Sequence, residues 1–211
     1  MDTYLQESRF IDSNSPEIIE FAQKTTENCL TDQQKVVALY YAVRDEIRYD
    51  PYHIDLNPEH IKASITLGRK SGYCIEKAMV MAAAARSLGI PALLGFANVR
   101  NHLASEKFIQ QLKSDIFVFH GYVSTYIDGG WVKSTPAFNL SLCQKFNVMP
   151  LEFDGIHDSI FQEYDAAGGK YMEYLCYHGE FADLPFDLFV AELRTHYPHL
   201  FDKNNIHFNG I

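Results

Sequence analysis

The stretch "SGYCIEKAMVMAAAARSLGIPALLGFANV", residues 71–99, decides the fold class, because it sets a cysteine at the head of an apolar, alanine-rich run that stops at Gly-Ile-Pro. From Cys74 to Leu88 the residues are apolar nearly all round, which predicts a helix buried on most sides rather than a surface helix with one apolar stripe. Gly89 just past its end and Pro91 beyond it are stop signals. Glu76 at the start and Arg86 near the end suit the helix dipole. "PALLGFANV" then reads as a strand.

Cys74 itself has two readings. A thiol in the first turn of a helix feels the positive end of the dipole and unpaired backbone N–H groups, both of which favour thiolate. Arg69 and Lys70 add positive charge nearby in sequence, and Gly72 leaves room for a substrate backbone. Against this, a cysteine in an apolar run is most often a small core residue. A base elsewhere in the chain has to decide between them.

Working outward, Ser15-Pro16 supplies an N-cap and a first-turn proline for "EIIEFAQKTTENCL", and "TDQQ" at 31–34 is a capping box for a second helix. Val36, Tyr40, Val43 and Ile47 form that helix's apolar face, broken at Pro51. Residues 49–72, with Pro51, Pro58, Gly68 and Gly72, read as loop-rich. Downstream, "ASEKFIQQLK" is expected as a short surface helix. "IFVFHGYVSTYI", the turn "DGG" and "WVKS" form a hairpin carrying His120. Past Pro150 the pattern weakens, although Pro185 opens a last helix that stops before Pro198. With no repeat or linker, residues 1–211 are expected to form one α+β domain with an antiparallel sheet, its core at about 31–140 and a C-terminal extension at about 150–211.

With 27 acidic against 18 basic residues the chain carries a formal charge of -9, so phosphate-backbone binding is disfavoured and no nucleic-acid partner is expected. The N-terminus lacks the basic start and apolar stretch of a secretory signal, and the run Ala78 to Ala85 is far too short to span a bilayer. A cytoplasmic location with no membrane partner is the expectation. The four cysteines form no C-x-x-C pair, so Cys29, Cys143 and Cys176 are read as reduced small hydrophobes. The acidic segment around His157 (Glu152, Asp154, Asp158, Glu163, Asp165) reads as a solvated loop. Cys176-x-His178 and His196-x-x-His199 lack companion ligands at zinc spacing. No metal or cofactor is expected, and "GGKYMEYLCYHGEF" is taken as packing or partner surface.

The candidate base is His120, mid-strand among Phe117, Phe119, Tyr122 and Val123. A lone histidine there would be read as a satisfied core residue. The joint order is more specific: "GYCIEKAMVMAAAARSLGIPA", then "HGYVSTYIDGGWVKSTPAFN" with Trp131 after the turn. Over about 63–139 this resembles the transglutaminase-like cysteine enzymes. The resemblance implies a papain-like fold, a cysteine-bearing helix on an antiparallel sheet, with Cys74 as nucleophile and His120 as its base. It also implies an aspartate on the next strand orienting the histidine, and at that position this chain has Thr135.

If Tyr126 faces Trp131, Thr135 faces Tyr122, diagonal to His120 on the same face, whereas a one-residue slip would present Ser134. Either hydroxyl can accept a hydrogen bond from the imidazole but adds no negative charge. The backbone N–H of Cys74 is the first oxyanion donor. The second is not identified, and Tyr52, His53 and Asn98 to His102 are candidates only for cleft walls. The expected function is a cysteine-dependent amide hydrolase, a peptidase or amidase of peptide or protein amides, working through a thioester acyl-enzyme. The alternatives are acyl transfer from protein glutamine to an amine, and a non-catalytic binding module of the same fold.

Overall fold

Helix α4 (Cys74–Ser87) is buried from Cys74 through Arg86. In the computed structural model, which describes residues 1–52, 54–101, 106–160 and 172–201, everything else is arranged around it. Helices α1 (Pro16–Thr25), α2 (Asp32–Glu46) and α3 (Ala63–Arg69) pack against α4, and a four-stranded sheet packs against it too. A helix apolar all round needs such cover on every side, and that requirement sets the layering. Its stop signal works as expected: Gly89 adopts φ +77, and the Gly89 and Ile90 N–H groups donate to Arg86 and Ala85 carbonyls at 2.9 and 3.0 Å. The two upstream caps also form. Ser15 Oγ accepts from the Ile18 N–H, and Thr31 and Gln34 make the reciprocal capping box of α2.

The sheet combines β3 (Ala92–Asn101), β4 (Ile116–Ile127), β5 (Gly130–Ser134) and β6 (Met172–Phe181) in the order β5-β4-β3-β6. All three pairings are antiparallel, and Tyr126 pairs with Trp131 and Val123 with Ser134. The expected α+β, papain-like class with an antiparallel sheet is therefore observed. β3 lies between β4 and β6 and is buried along nearly its whole length, which is why it reads as a continuous apolar run instead of an alternating one. Alternation returns on β4. The face bearing Gly121 and Val123 turns to α4, and Ser134 on the paired strand reaches Met81 Sδ at 3.7 Å. On the other face Tyr122 lies so close over Gly95 that a Cβ there would fall 2.0 Å from the ring. Ser124 and Lys133 meet Glu180 of β6 on that same face.

Several elements were not anticipated. Within 49–72, α3 forms, and β1 (Arg48–Tyr49) pairs in parallel with β2 (Ser71–Gly72). α3 begins at Lys62 without a side-chain cap and ends at Lys70 in the left-handed region at φ 54, where glycine is usual, so neither end carries a recognisable signal. After α5 (Glu106–Leu112) and the hairpin comes α6 (Leu140–Phe146), whose N-cap Asn139 spends its side chain elsewhere. β6 lies in the Tyr-rich segment read as packing or partner surface. Its register shifts twice against β3, and Gly179 sits at φ +104, which erases the period-2 pattern. α7 (Phe186–His196) covers part of β4.

Candidate active site

β4 crosses the first turn of α4 at His120–Gly121. The backbone N–H groups of Gly121, Ile75 and Cys74 act to lower the Cys74 thiol's pKa. The crossing depends on glycine, because a Cβ at 121 would stand 3.0 Å from Ile75 Cα and 3.3 Å from its nitrogen. Cys74 and the His120 segment, more than 40 residues apart in sequence, are thus brought together by the packing of a strand on a helix start.

Phe119, immediately before His120, holds φ +60, a conformation a bulky side chain rarely adopts. A register shift between Ala97 and Val99 lies opposite it. Asn98 supports the bulge: its Oδ1 accepts the Phe119 N–H at 2.9 Å and lies 2.8 Å from His178 Nε2. The Phe119 ring stacks on Phe96 with centroids 4.5 Å apart. Asn98 was considered as a cleft wall, and here it is a brace for the strand that carries the histidine.

The expectation of a primed thiolate is corrected. Burial pushes the Cys74 thiol up to about 12, and the three backbone N–H groups only partly offset it. Desolvation outweighs the helix terminus because the sulfur has almost no contact with water. The nearby cations do not help as expected. Arg69 is bound to the buried Glu76 carboxylate at 2.6 Å, and Glu76 itself raises the thiol further. Gly72 also has a different role: a Cβ there would meet Glu76 Oε2 at 2.9 Å, so its smallness serves internal packing. Glu76 in turn accepts the N-cap N–H of Tyr73 at 3.2 Å.

His120 is 3% exposed, and burial pushes its imidazole down to about 3. At neutral pH both candidates are therefore uncharged. The His120 side chain lines a 530 Å³ cavity, together with Tyr49, Tyr52, Phe117, Phe138 and Asn139. Tyr52 and Asn101 do line this cleft, while His53 and His102 lie outside the described residues.

The register places Thr135 just past β5, next in line to face Tyr122, while Ser134 turns toward α4. Thr135 is 1% exposed, and its N–H donates to the Ser159 carbonyl at 3.0 Å. Its hydroxyl makes no hydrogen bond among the described residues. The expected bond from imidazole to this hydroxyl is consequently not formed.

Three residues that support the site were missed. Lys77, one turn into α4 and fully buried, donates from Nζ to the Arg44 and Ile47 carbonyls at 2.8 and 2.6 Å; burial pulls its ammonium down to about 7. Asn139 donates to the same two carbonyls and accepts the Tyr49 N–H at 2.7 Å. Together they fix the end of α2 and the start of β1, whose Arg48 and Tyr49 line the cavity. Tyr197, after α7, accepts the Val118 N–H at 3.0 Å and donates to the Ile116 carbonyl. β5 pairs with β4 only as far as Val123, so Tyr197 covers the strand edge left open near Cys74. A lysine inside "CIEKAMVM" was a visible anomaly, whereas Asn139 and Tyr197 carried no signal.

Of the remaining cysteines, Cys143 is buried and lines the cavity, Cys29 is half-buried and Cys176 is exposed. His157 Nδ1 meets Asp154 Oδ2 at 2.7 Å within the acidic loop; Glu163 and Asp165 lie outside the described residues. His178 and His196 both approach Glu192. Among the described residues no three metal-ligating side chains gather, and no helix is long and apolar enough to cross a membrane.

The family model described as "Transglutaminase-like superfamily" matches residues 19–136. No curated protein matches the sequence. Among solved structures, one titled a "putative cysteine protease" from Cytophaga hutchinsonii is similar over 84% of this chain at 18% identity and a TM-score of 0.50. The chain spans about half of that protein, covering 52% of its length. A second, titled a "putative protease" from Parabacteroides distasonis ATCC 8503, is similar over 56% of this chain and 22% of its own, at 18% identity and a TM-score of 0.40.

Proposed function

For a chain that belongs to the transglutaminase-like superfamily, a family of cysteine-type enzymes, we propose cysteine-dependent hydrolysis of a peptide or protein amide, with Cys74 as nucleophile and His120 as general base and acid. The observation that carries this reading is the close approach of Gly121, next to His120, to Ile75, next to Cys74, which sets the base-bearing strand against the nucleophile-bearing helix start. The resting pair is neutral, so the thiol proton passes to an imidazole nitrogen as the sulfur attacks the carbonyl carbon, not beforehand. The backbone N–H of Cys74 accommodates the oxyanion. Collapse of the tetrahedral adduct breaks the C–N bond, and the imidazolium returns its proton to the departing amine. Water, deprotonated by the imidazole, then opens the thioester to a carboxylic acid and the free thiol. An amine in place of that water would give transamidation.

One observation favours a non-catalytic module: Thr135 stands where the resemblance places a carboxylate, and its hydroxyl bonds to nothing among the described residues. A peptide-based electrophile at pH 7.5, with adducts mapped by mass spectrometry, separates the readings. The enzyme reading expects selective modification of Cys74, slowed about 100-fold or more by His120→Ala. Small unspecific electrophiles should behave differently, since a thiol raised to about 12 is reluctant at neutral pH; iodoacetamide should reach exposed Cys176 first. Peptide labelling spread over the other cysteines and indifferent to His120→Ala would establish the binding module.

A further inference from the structure

We propose that the cavity beside His120 is the subsite for the amine-side residue of the substrate, and that it takes a large apolar residue carrying a free carboxylate. The inference rests on the roles assigned to Cys74 and His120. In that chemistry the imidazole hands its proton to the departing amine, so the amine half of the substrate lies on the imidazole side of the sulfur. The 530 Å³ cavity has His120 in its wall, and Cys74 is not among its lining residues. With the imidazole in its wall and the nucleophile outside it, we assign the cavity to the leaving-group side.

The character of the walls selects the occupant. Phe117, Phe138, Phe146 and Met172 give the cavity an aromatic and apolar interior, and its volume lies in the range of ordinary ligand pockets, ample for a large residue. Its charged lining residues among those described are Arg48 and Lys145. Two cations and no carboxylate are notable in a chain of 27 acidic and 18 basic residues. Arg48 is engaged by Asp50 at 3.0 Å. Lys145 makes no ion pair among the described residues and is the group that would meet a carboxylate. A peptide whose C-terminal residue is phenylalanine-like satisfies both requirements, its ring among the aromatic walls and its terminus at Lys145. The scissile bond would then be the last amide of the chain, releasing a free amino acid.

The test reads binding separately from turnover. Acetyl-glycyl-phenylalanine is titrated calorimetrically into the Cys74→Ala protein, beside its C-terminal amide and acetyl-glycyl-alanine. Both controls are expected to bind about tenfold more weakly, as for the loss of one charge-assisted hydrogen bond or of one large apolar group. Lys145→Gln in the same background should abolish the preference for carboxylate over amide and keep that for phenylalanine over alanine. Leu142→Trp, which fills the cavity from α6, should weaken the phenylalanine peptide most. Equal binding of the three peptides, no binding at all, or a carboxylate preference that survives Lys145→Gln overturns the subsite. A preserved preference with no cleavage by the wild-type protein would instead count against the catalytic reading alone.

Discussion

At the C-terminal end of α4, Arg86 is buried and its guanidinium donates to the carbonyls of Ala92, Gln6 and Ala182 at 2.6 to 3.2 Å. At the N-terminal end Lys77 is equally buried and also donates to carbonyls, those of Arg44 and Ile47. Both cations tie chain segments distant in sequence to the central helix. The surroundings differ. The Arg86 end closes with a regular stop and a filled donor set. The Lys77 end holds a desolvated thiol, an imidazole driven neutral, a left-handed Phe119 and a buried Tyr73 hydroxyl without a hydrogen bond among the described residues. One helix thus has an end built for stability and an end where unfavourable features collect, as is usual where chemistry is done.

Replacing the cation at the settled end should have the largest effect. Arg86→Met leaves three segments without their shared donor, with an expected loss of about 3–5 kcal/mol in urea unfolding. A loss below 1 kcal/mol would erase the contrast between the two ends.

The next effect belongs to the Cys74 end of the helix and depends on pH. His120 is a base whose folded-state pKa, about 3, lies below the ordinary 6.5. Between these values the unfolded chain binds the extra proton, so stability is complete above about 6.5 and is lost as pH falls toward 3. Between pH 7 and pH 4 the wild type should lose about 3 kcal/mol more than His120→Leu. Parallel acid limbs for the two proteins would show an imidazole that is solvated and free to charge.

The smallest effect is expected for Lys77→Met measured at pH 10, within about 1 kcal/mol, because Asn139 still donates to both carbonyls and an apolar side chain suits the site. Lys77 is also a base with a lowered pKa, from 10.5 to about 7. The wild type should therefore lose stability relative to the variant as pH falls from about 10 to about 7, and the difference should level off below that. A wild-type advantage that grows toward neutral pH would mean that the charged ammonium is the favoured form.

Much of the scaffold was legible because it rests on local chemistry. The caps at Ser15 and Thr31, the stop at Gly89 and the tight turn between β4 and β5 each depend on a few neighbouring residues whose backbone preferences act wherever the chain goes. α3 and β6 were illegible for the converse reason. One lacks capping signals at both ends, and the other owes its existence to the exposed edge of β3 rather than to its own alternation. Within the site, the pairing of Tyr126 with Trp131 followed from the turn length, but whether the Thr135 hydroxyl would find a partner did not.

By itself the sequence determined that a helix buried on all sides would begin at Cys74 and that a hairpin strand would carry His120, since periodicity, caps and turn residues specify elements. Only the tertiary structure decided that Gly121 would bring the two together, that the thiol and imidazole would rest uncharged, and that Lys77, Asn139 and Tyr197 would brace them. Those outcomes depend on how much water is excluded and which distant carbonyls come within reach, and both are properties of the packed chain, not of any segment of it.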